Sequence, residues 1–157
     1  MDFEIVFHDD ALEYPYDDPL VPAAFGSIRV GDFREEFRSS LHEWNKKQYE
    51  SQWRASIGAL LRGGSCAALI TEYHSPKRSK FFQWWILYRG DGDVIHVQNQ
   101  IAFYKQMKSG FTAESAESFA RPRKTHTEDG DVISEWDTTF ADVKAFFDSM
   151  PGVKGGR

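Results

Sequence analysis

Phe81-Phe82-Gln83-Trp84-Trp85-Ile86-Leu87-Tyr88 decides the fold of this 157-residue chain. Its aliphatic and aromatic content reads as a strand. Trp84 and Trp85 are neighbours, so on a strand their side chains point to opposite faces and only one of them serves a given core layer. The other is either covered by a second element or stands exposed as a stacking platform or interface anchor. Upstream, Cys66 to Tyr73 has the same character, and the polar Ser75-Pro76-Lys77-Arg78-Ser79-Lys80 between the two runs reads as a hairpin loop. Downstream, Arg89-Gly90-Asp91-Gly92-Asp93 is a turn leading into Val94 to Gln98, where Val94, His96 and Gln98 alternate with Ile95, Val97 and Asn99. Three consecutive antiparallel strands with short connections make a meander.

A helix precedes this meander. Asn45 is a good N-cap with Gln48 placed to reach back to it, and Tyr49, Trp53, Ile57, Leu60 and Leu61 form one apolar stripe before Gly63-Gly64 closes the element. Trp53 and Ile57 are expected to face the sheet. Further upstream, Ser27 to Val30 and Phe33 to Phe37 read as short strands about the Gly31-Asp32 turn. Downstream, Ile101 to Met107 fits either a strand extension or a short helix, Ala113 to Phe119 a brief helical turn, and Ile133 to Trp136 a last short strand. Thr139 caps a closing helix through Asp142, with Phe140, Val143, Phe146, Phe147 and Met150 on its apolar face and Pro151-Gly152 as the stop. The expectation is an α+β domain, a central antiparallel β-sheet meander with packed helices. It occupies residues 25–150, after an extended acidic lead-in over 1–24 and before a frayed tail over 151–157.

Length and composition narrow the function. A chain of this size buries a core without disulfides or metal. The lone Cys66 sits in an apolar run, where a thiol behaves as a small hydrophobe. No apolar run approaches the roughly 18 residues a membrane span needs, and the first twenty residues lack the basic start of a signal peptide, so a cytoplasmic protein is expected. Charge is uneven: seven acids and no Lys or Arg in residues 1–24 contribute −7, and 17 acids against 19 bases in the rest contribute +2, giving the net −5. Such a segment is either a solvated arm or an acidic surface for a basic partner.

Catalytic and metal signals are weak. The five histidines show no metal-ligand spacing. His126 beside Glu128 and Asp129 is the one candidate catalytic cluster, and Thr127, Asp129 and Gly130 read equally as an ordinary turn. Asp91-Gly92-Asp93 lacks the spaced ligands of a calcium loop, and no glycine-rich loop opens a helix to hold a phosphate. No cofactor is expected. Aromatics number 24 of 157 residues, and Lys77, Arg78, Lys80 and Arg89 lie near the tryptophans, so single-stranded nucleic-acid binding by an aromatic sheet face is an alternative. The acidic balance argues against it, because phosphate contacts supply most of the affinity in such complexes.

The order and spacing of several motifs form a familiar pattern. Ile28 to Phe37 with its Gly31-Asp32-Phe33 turn is followed by Leu41, Trp44, Tyr49 and Trp53. Then come Ser65 to Tyr73, Trp85-Ile86-Leu87-Tyr88 and Val97-Gln98-Asn99. The last are Arg123-Lys124-Thr125-His126, Glu128-Asp129-Gly130 and Ile133-Ser134-Glu135-Trp136. Over residues 27–147 the chain resembles the immunity proteins (CdiI) of contact-dependent growth inhibition systems, in the subfamily paired with a 16S ribosomal RNA nuclease toxin. The acidic lead-in has no match in that pattern.

The resemblance implies an antitoxin rather than an enzyme, a fold likened to the Whirly single-strand-binding proteins, and a monomer bound one to one to the cognate CdiA C-terminal toxin domain. It implies neither direct nucleic-acid binding nor a membrane. Trp53, Asn99 and Trp136 then read as scaffold, because recognition surfaces are where immunity proteins must differ. The expected toxin-binding residues are the acids of turns: Asp91, Asp93, Glu128, Asp129 and Asp131, with Asp17 and Asp18.

Overall fold

The computed structural model describes residues 2–13 and 22–150, arranged as two antiparallel meanders and two α-helices. β1 (Phe3–Glu13), β2 (Ala23–Val30) and β3 (Phe33–Ser40) form the first sheet in the order β1-β2-β3. Helix α1 (Lys46–Leu61) then leads into β4 (Cys66–Glu72), β5 (Phe81–Arg89) and β6 (Val94–Phe103). Two 3₁₀ segments, Tyr104–Gln106 and Ala113–Phe119, precede β7 (Trp136–Thr139) and helix α2 (Phe140–Ser149). The second sheet runs in the order β4-β5-β6-β7. The α+β class and the three-strand meander agree with the sequence. The strands about Gly31-Asp32 join β1 in a sheet of their own, with Gly31 at φ +61° in the turn.

Two elements, β1 and β7, differ from expectation, and the open alternative at Ile101 to Met107 resolves as a strand extension followed by a short 3₁₀ turn. The acidic segment supplies β1, which seats Phe3 and Ile5 in the core through pairing with Val30 and Ile28. Strand β6 continues through Ile101 to Phe103, because Phe81, Phe82 and Gln83 extend the ladder opposite Phe103, Ala102 and Ile101. Strand β7 begins at Trp136, not Ile133: the ladder to β6 pairs Val97 with Trp136 and Val94 with Thr139. Glu135 is held instead by an arginine, as described below. The proline stop after α2 and the tail lie outside the described residues.

The core forms where the sheets meet. One face of the second sheet carries Trp85, Leu87, Ile95 and Val97, all buried. Phe33 of the first sheet stacks on Trp136 with ring centroids 3.8 Å apart, and Trp53 of α1 packs on Phe7 at 5.0 Å and Phe37 at 6.0 Å. Phe146 of α2 meets Phe3 edge-on at 5.5 Å. Gly26 is required here: a Cβ would stand 2.7 Å from the Phe37 ring and 2.4 Å from the Val6 carbonyl oxygen. The opposite face of the second sheet is covered by the segment after β6, where Phe82 meets Tyr104 at 5.2 Å and Phe111 at 5.3 Å. Trp84 and Trp85 are thus both buried, 2% and 1% exposed, and neither is a stacking platform.

Helix α1 forms where its capping pattern places it. Asn45 Oδ1 accepts from the Gln48 amide at 2.9 Å and Gln48 Oε1 from the Asn45 amide at 2.9 Å. Tyr49, Trp53, Ile57 and Leu60 are fully buried. The helix also seals the outer edge of β4. Gln52 donates to the Ala68 carbonyl at 2.7 Å and accepts from the Ile70 amide at 2.9 Å. Ser56 Oγ accepts from the Ala68 amide at 2.8 Å, and Trp53 Nε1 donates to the Ile70 carbonyl at 2.7 Å. All four outward backbone groups of Ala68 and Ile70 are therefore satisfied by side chains. Ser39 Oγ takes the Thr71 carbonyl at the end of the same edge.

Candidate functional site

Residues 121–135 cross the outer face of the second sheet with almost no regular structure, and every residue from Arg121 to Val132 is exposed. Side chains hold this segment in place. Tyr88 donates to the Arg121 carbonyl at 2.8 Å and Gln98 Nε2 to the Lys124 carbonyl at 2.9 Å. Gln100 Nε2 bridges Tyr88 Oη and Gln98 Oε1, each at 3.0 Å. Arg123 grips Glu135 with two hydrogen bonds of 2.8 and 2.6 Å, a bidentate geometry that fixes orientation as well as distance. Glu135 also accepts from Gln98 at 2.8 Å. The Arg123 hydrogen bonds are the main reason the Glu135 carboxyl titrates below its ordinary range, with Gln98 and the nearby His96 adding to the effect.

His96 Nδ1 lies 2.8 Å from Asp137 Oδ1 and 3.6 Å from Glu135 Oε1. These three residues are the candidate metal-ligand group of the described residues. Their donor atoms suit a cation poorly, because the Arg123 guanidinium already occupies Glu135 at 2.6 Å. The arrangement is a structural weld between β6, β7 and the crossing segment. Sequence reading passed over it: His96 looked like one residue in an alternating strand, and its partners lie 39 and 41 positions away.

His126 does not gather the acids around it. Its Nδ1 lies 3.0 Å from Thr125 Oγ1, and among the described residues no carboxylate lies within ion-pair distance of its ring. Thr127, Asp131 and Gly130, with φ +89°, instead make a tight turn: Thr127 donates its amide to the Asp131 carbonyl at 2.8 Å, and His126 bridges Val132. Cys66 is buried, and burial pushes its thiol pKa up, the reverse of an activated nucleophile.

The expected toxin-binding acids occupy two places. Asp91 and Asp93 are exposed in the β5–β6 turn, where Gly92 takes φ +60°. Glu128, Asp129 and Asp131 are exposed at the tip of the 125–133 turn, beside the other half of β6. The two groups bracket a strand whose ten residues rise about 30 Å and do not share one patch. Asp17 and Asp18 lie outside the described residues. Of the three residues read as scaffold, Trp53 and Trp136 are built into the packed interior and Asn99 is exposed.

A groove of about 450 Å³ runs between the second half of β6 and the crossing segment. Gln100 to Phe103 form one wall and Arg121, Lys124, His126 and Glu128 the other, with Trp84 and Gln98 also lining it. The indole N–H of Trp84 is buried without a hydrogen-bond acceptor. Ile101 and Phe103 at the rim are 53% and 37% exposed, unusual for large apolar side chains on a strand. Nothing in the sequence pattern signalled this groove, because it depends on where β7 stops pairing.

Comparison with known proteins places the molecule. Residues 39–146 match the family model of the CdiI N-terminal domain. The immunity protein CdiI of Enterobacter cloacae subsp. cloacae is 34% identical over 124 residues, covering 79% of this chain and 84% of that protein. A chain of the CdiA-CT/CdiI toxin and immunity complex from Enterobacter cloacae superposes with a TM-score of 0.82 at 30% identity, covering 94% of this chain and 97% of that one. The structural likeness extends beyond the family model to most of the first sheet.

Proposed function

We propose that this chain, which belongs to the CdiI immunity protein family, binds the C-terminal toxin domain of a cognate CdiA protein and blocks it inside the cell that makes both. The observation that carries the reading is the likeness, across nearly the whole fold, to a chain of a CdiA-CT/CdiI toxin and immunity complex. The protein acts in the cytoplasm as a one-to-one blocker rather than as an enzyme, and its toxin is a nuclease. Blocking needs no chemistry of its own: it needs anchors that exclude water and charges that complement the partner. In keeping with that, the polar constellation Arg123-Glu135-His96-Asp137 is spent on bracing the crossing segment. The acids Asp91, Asp93, Glu128, Asp129 and Asp131 meet basic side chains of the toxin.

Co-expression with the toxin domain encoded immediately upstream tests this directly. Survival of the cells and co-purification of a one-to-one complex are expected, and in cells making the toxin domain ribosomal RNA stays intact only when this chain is made with it. Continued killing by a toxin that fails to co-purify would overturn the proposal.

A further inference from the structure

The second sheet leaves part of one strand unpaired. Strand β7 covers β6 only from Val94 to Val97, while β6 runs on to Phe103. Antiparallel pairing alternates the direction of backbone groups along a strand. The Val94 carbonyl accepts from Gly90 on the β5 side, and the Asp93 carbonyl accepts from Phe140 on the β7 side. Even-numbered residues of β6 therefore bond to β5, and the amides and carbonyls of Asn99, Ile101 and Phe103 point outward, beyond the last residue of β6 that β7 covers. These three residues span about 13 Å. The groove lies along this side of the strand, with Arg121 and Lys124 on its far wall.

We propose that this open edge receives an extended segment of the toxin domain, which adds a strand to β6 through Asn99, Ile101 and Phe103. The inference rests on the immunity reading and names the face it uses. A row of alternating donors and acceptors is the complement of another peptide backbone, and nucleic acid has no such row to offer. Arg121 and Lys124 of the far wall favour a segment that carries a carboxylate beside them, and Glu128 of the same wall favours a basic side chain. Ile101 and Phe103, exposed at the rim, supply the apolar contact that backbone pairing lacks.

Amide hydrogen exchange, read residue by residue by NMR on the free protein and on its complex with the toxin domain, tests the edge. The Asn99, Ile101 and Phe103 amides should exchange at least about tenfold more slowly in the complex. The variant Ile101→Pro removes one outward donor and should weaken toxin binding roughly tenfold. Its fold is verified by the Gln98 and Gln100 amides, which bond to β5 and should stay protected. A complex that forms while the three amides keep their free exchange rates would overturn strand addition and leave the immunity reading standing. Absence of any complex would overturn both. Slowing of the same amides by a single-stranded RNA oligonucleotide and not by the toxin domain would assign the edge to nucleic acid and overturn the proposal.

Discussion

Along β4 the outward amides and carbonyls of Ala68 and Ile70 are taken by Gln52, Ser56 and Trp53 of α1, whereas along β6 those of Asn99, Ile101 and Phe103 lie beyond the reach of β7, with a groove beside Ile101 and Phe103. Both are edges of one sheet, with the same backbone chemistry and the same demand for partners. An exposed edge is a template for pairing with another chain, and proteins usually cover it. Here a helix places two polar residues in its buried face to close one edge, while β7 is too short to close the other. The closed edge serves the stability of the fold, and the open one is available to a partner.

The contrast breaks most visibly at the closed edge. Gln52→Leu should cost about 2–4 kcal/mol, since it strands the Ala68 carbonyl and the Ile70 amide where solvent cannot reach them. Urea unfolding measures this, and a loss under about 0.5 kcal/mol would mean the edge does not depend on the helix.

A smaller effect is expected at the brace beside the open edge. Arg123→Ala removes both hydrogen bonds to Glu135, and for a partly exposed bidentate pair the loss is about 0.5–1 kcal/mol near neutral pH. The pH dependence has a definite sign. The Glu135 carboxyl titrates below its ordinary value in the folded chain, so its contribution is whole above the ordinary carboxylate range and disappears as pH falls through the folded-state value. Denaturation curves of wild type and Arg123→Ala should therefore converge on acidification. A gap that stayed constant into strong acid would assign the brace to packing rather than charge.

The least effect belongs to the open edge itself. Asn99→Lys, the kind of charge that blunts exposed strands elsewhere, should leave the unfolding free energy of the free protein almost unmoved in urea titration, within about 0.5 kcal/mol. A loss above about 1 kcal/mol would show that the edge already has a partner within the chain.

What could be read in advance follows the same division. Helix α1, its cap and its stripe were legible because each is a local pattern: Asn45 with Gln48, and Tyr49, Trp53, Ile57 and Leu60 on one face. Strands β4 and β5 were legible because their runs are dense in apolar side chains. Gln52 and Ser56 were passed over, although their four-residue spacing beside that stripe is a signal that a buried helix face carries polar work. β1 hid among acids, and the end of β7 is marked by the Arg123–Glu135 pair, 12 positions apart without helical or strand periodicity to announce it, and by the His96–Asp137 contact 41 positions apart, which no local window contains. The groove inherits that obscurity.

The hydroxyl of Thr138 donates to the carbonyl of Asp2 at 3.2 Å, joining positions 136 apart, while α1 reaches β4 across at most 18. During synthesis the α1–β4 unit can assemble as soon as it leaves the ribosome, but β1 must wait for the far end of the second sheet before its seat is complete. For most of translation Phe3 and Ile5 lack part of their final shelter. The first sheet of an antitoxin of this build is therefore completed only after Thr138 and Phe146 have been made, so its most N-terminal core residues are the last to be fully sheltered.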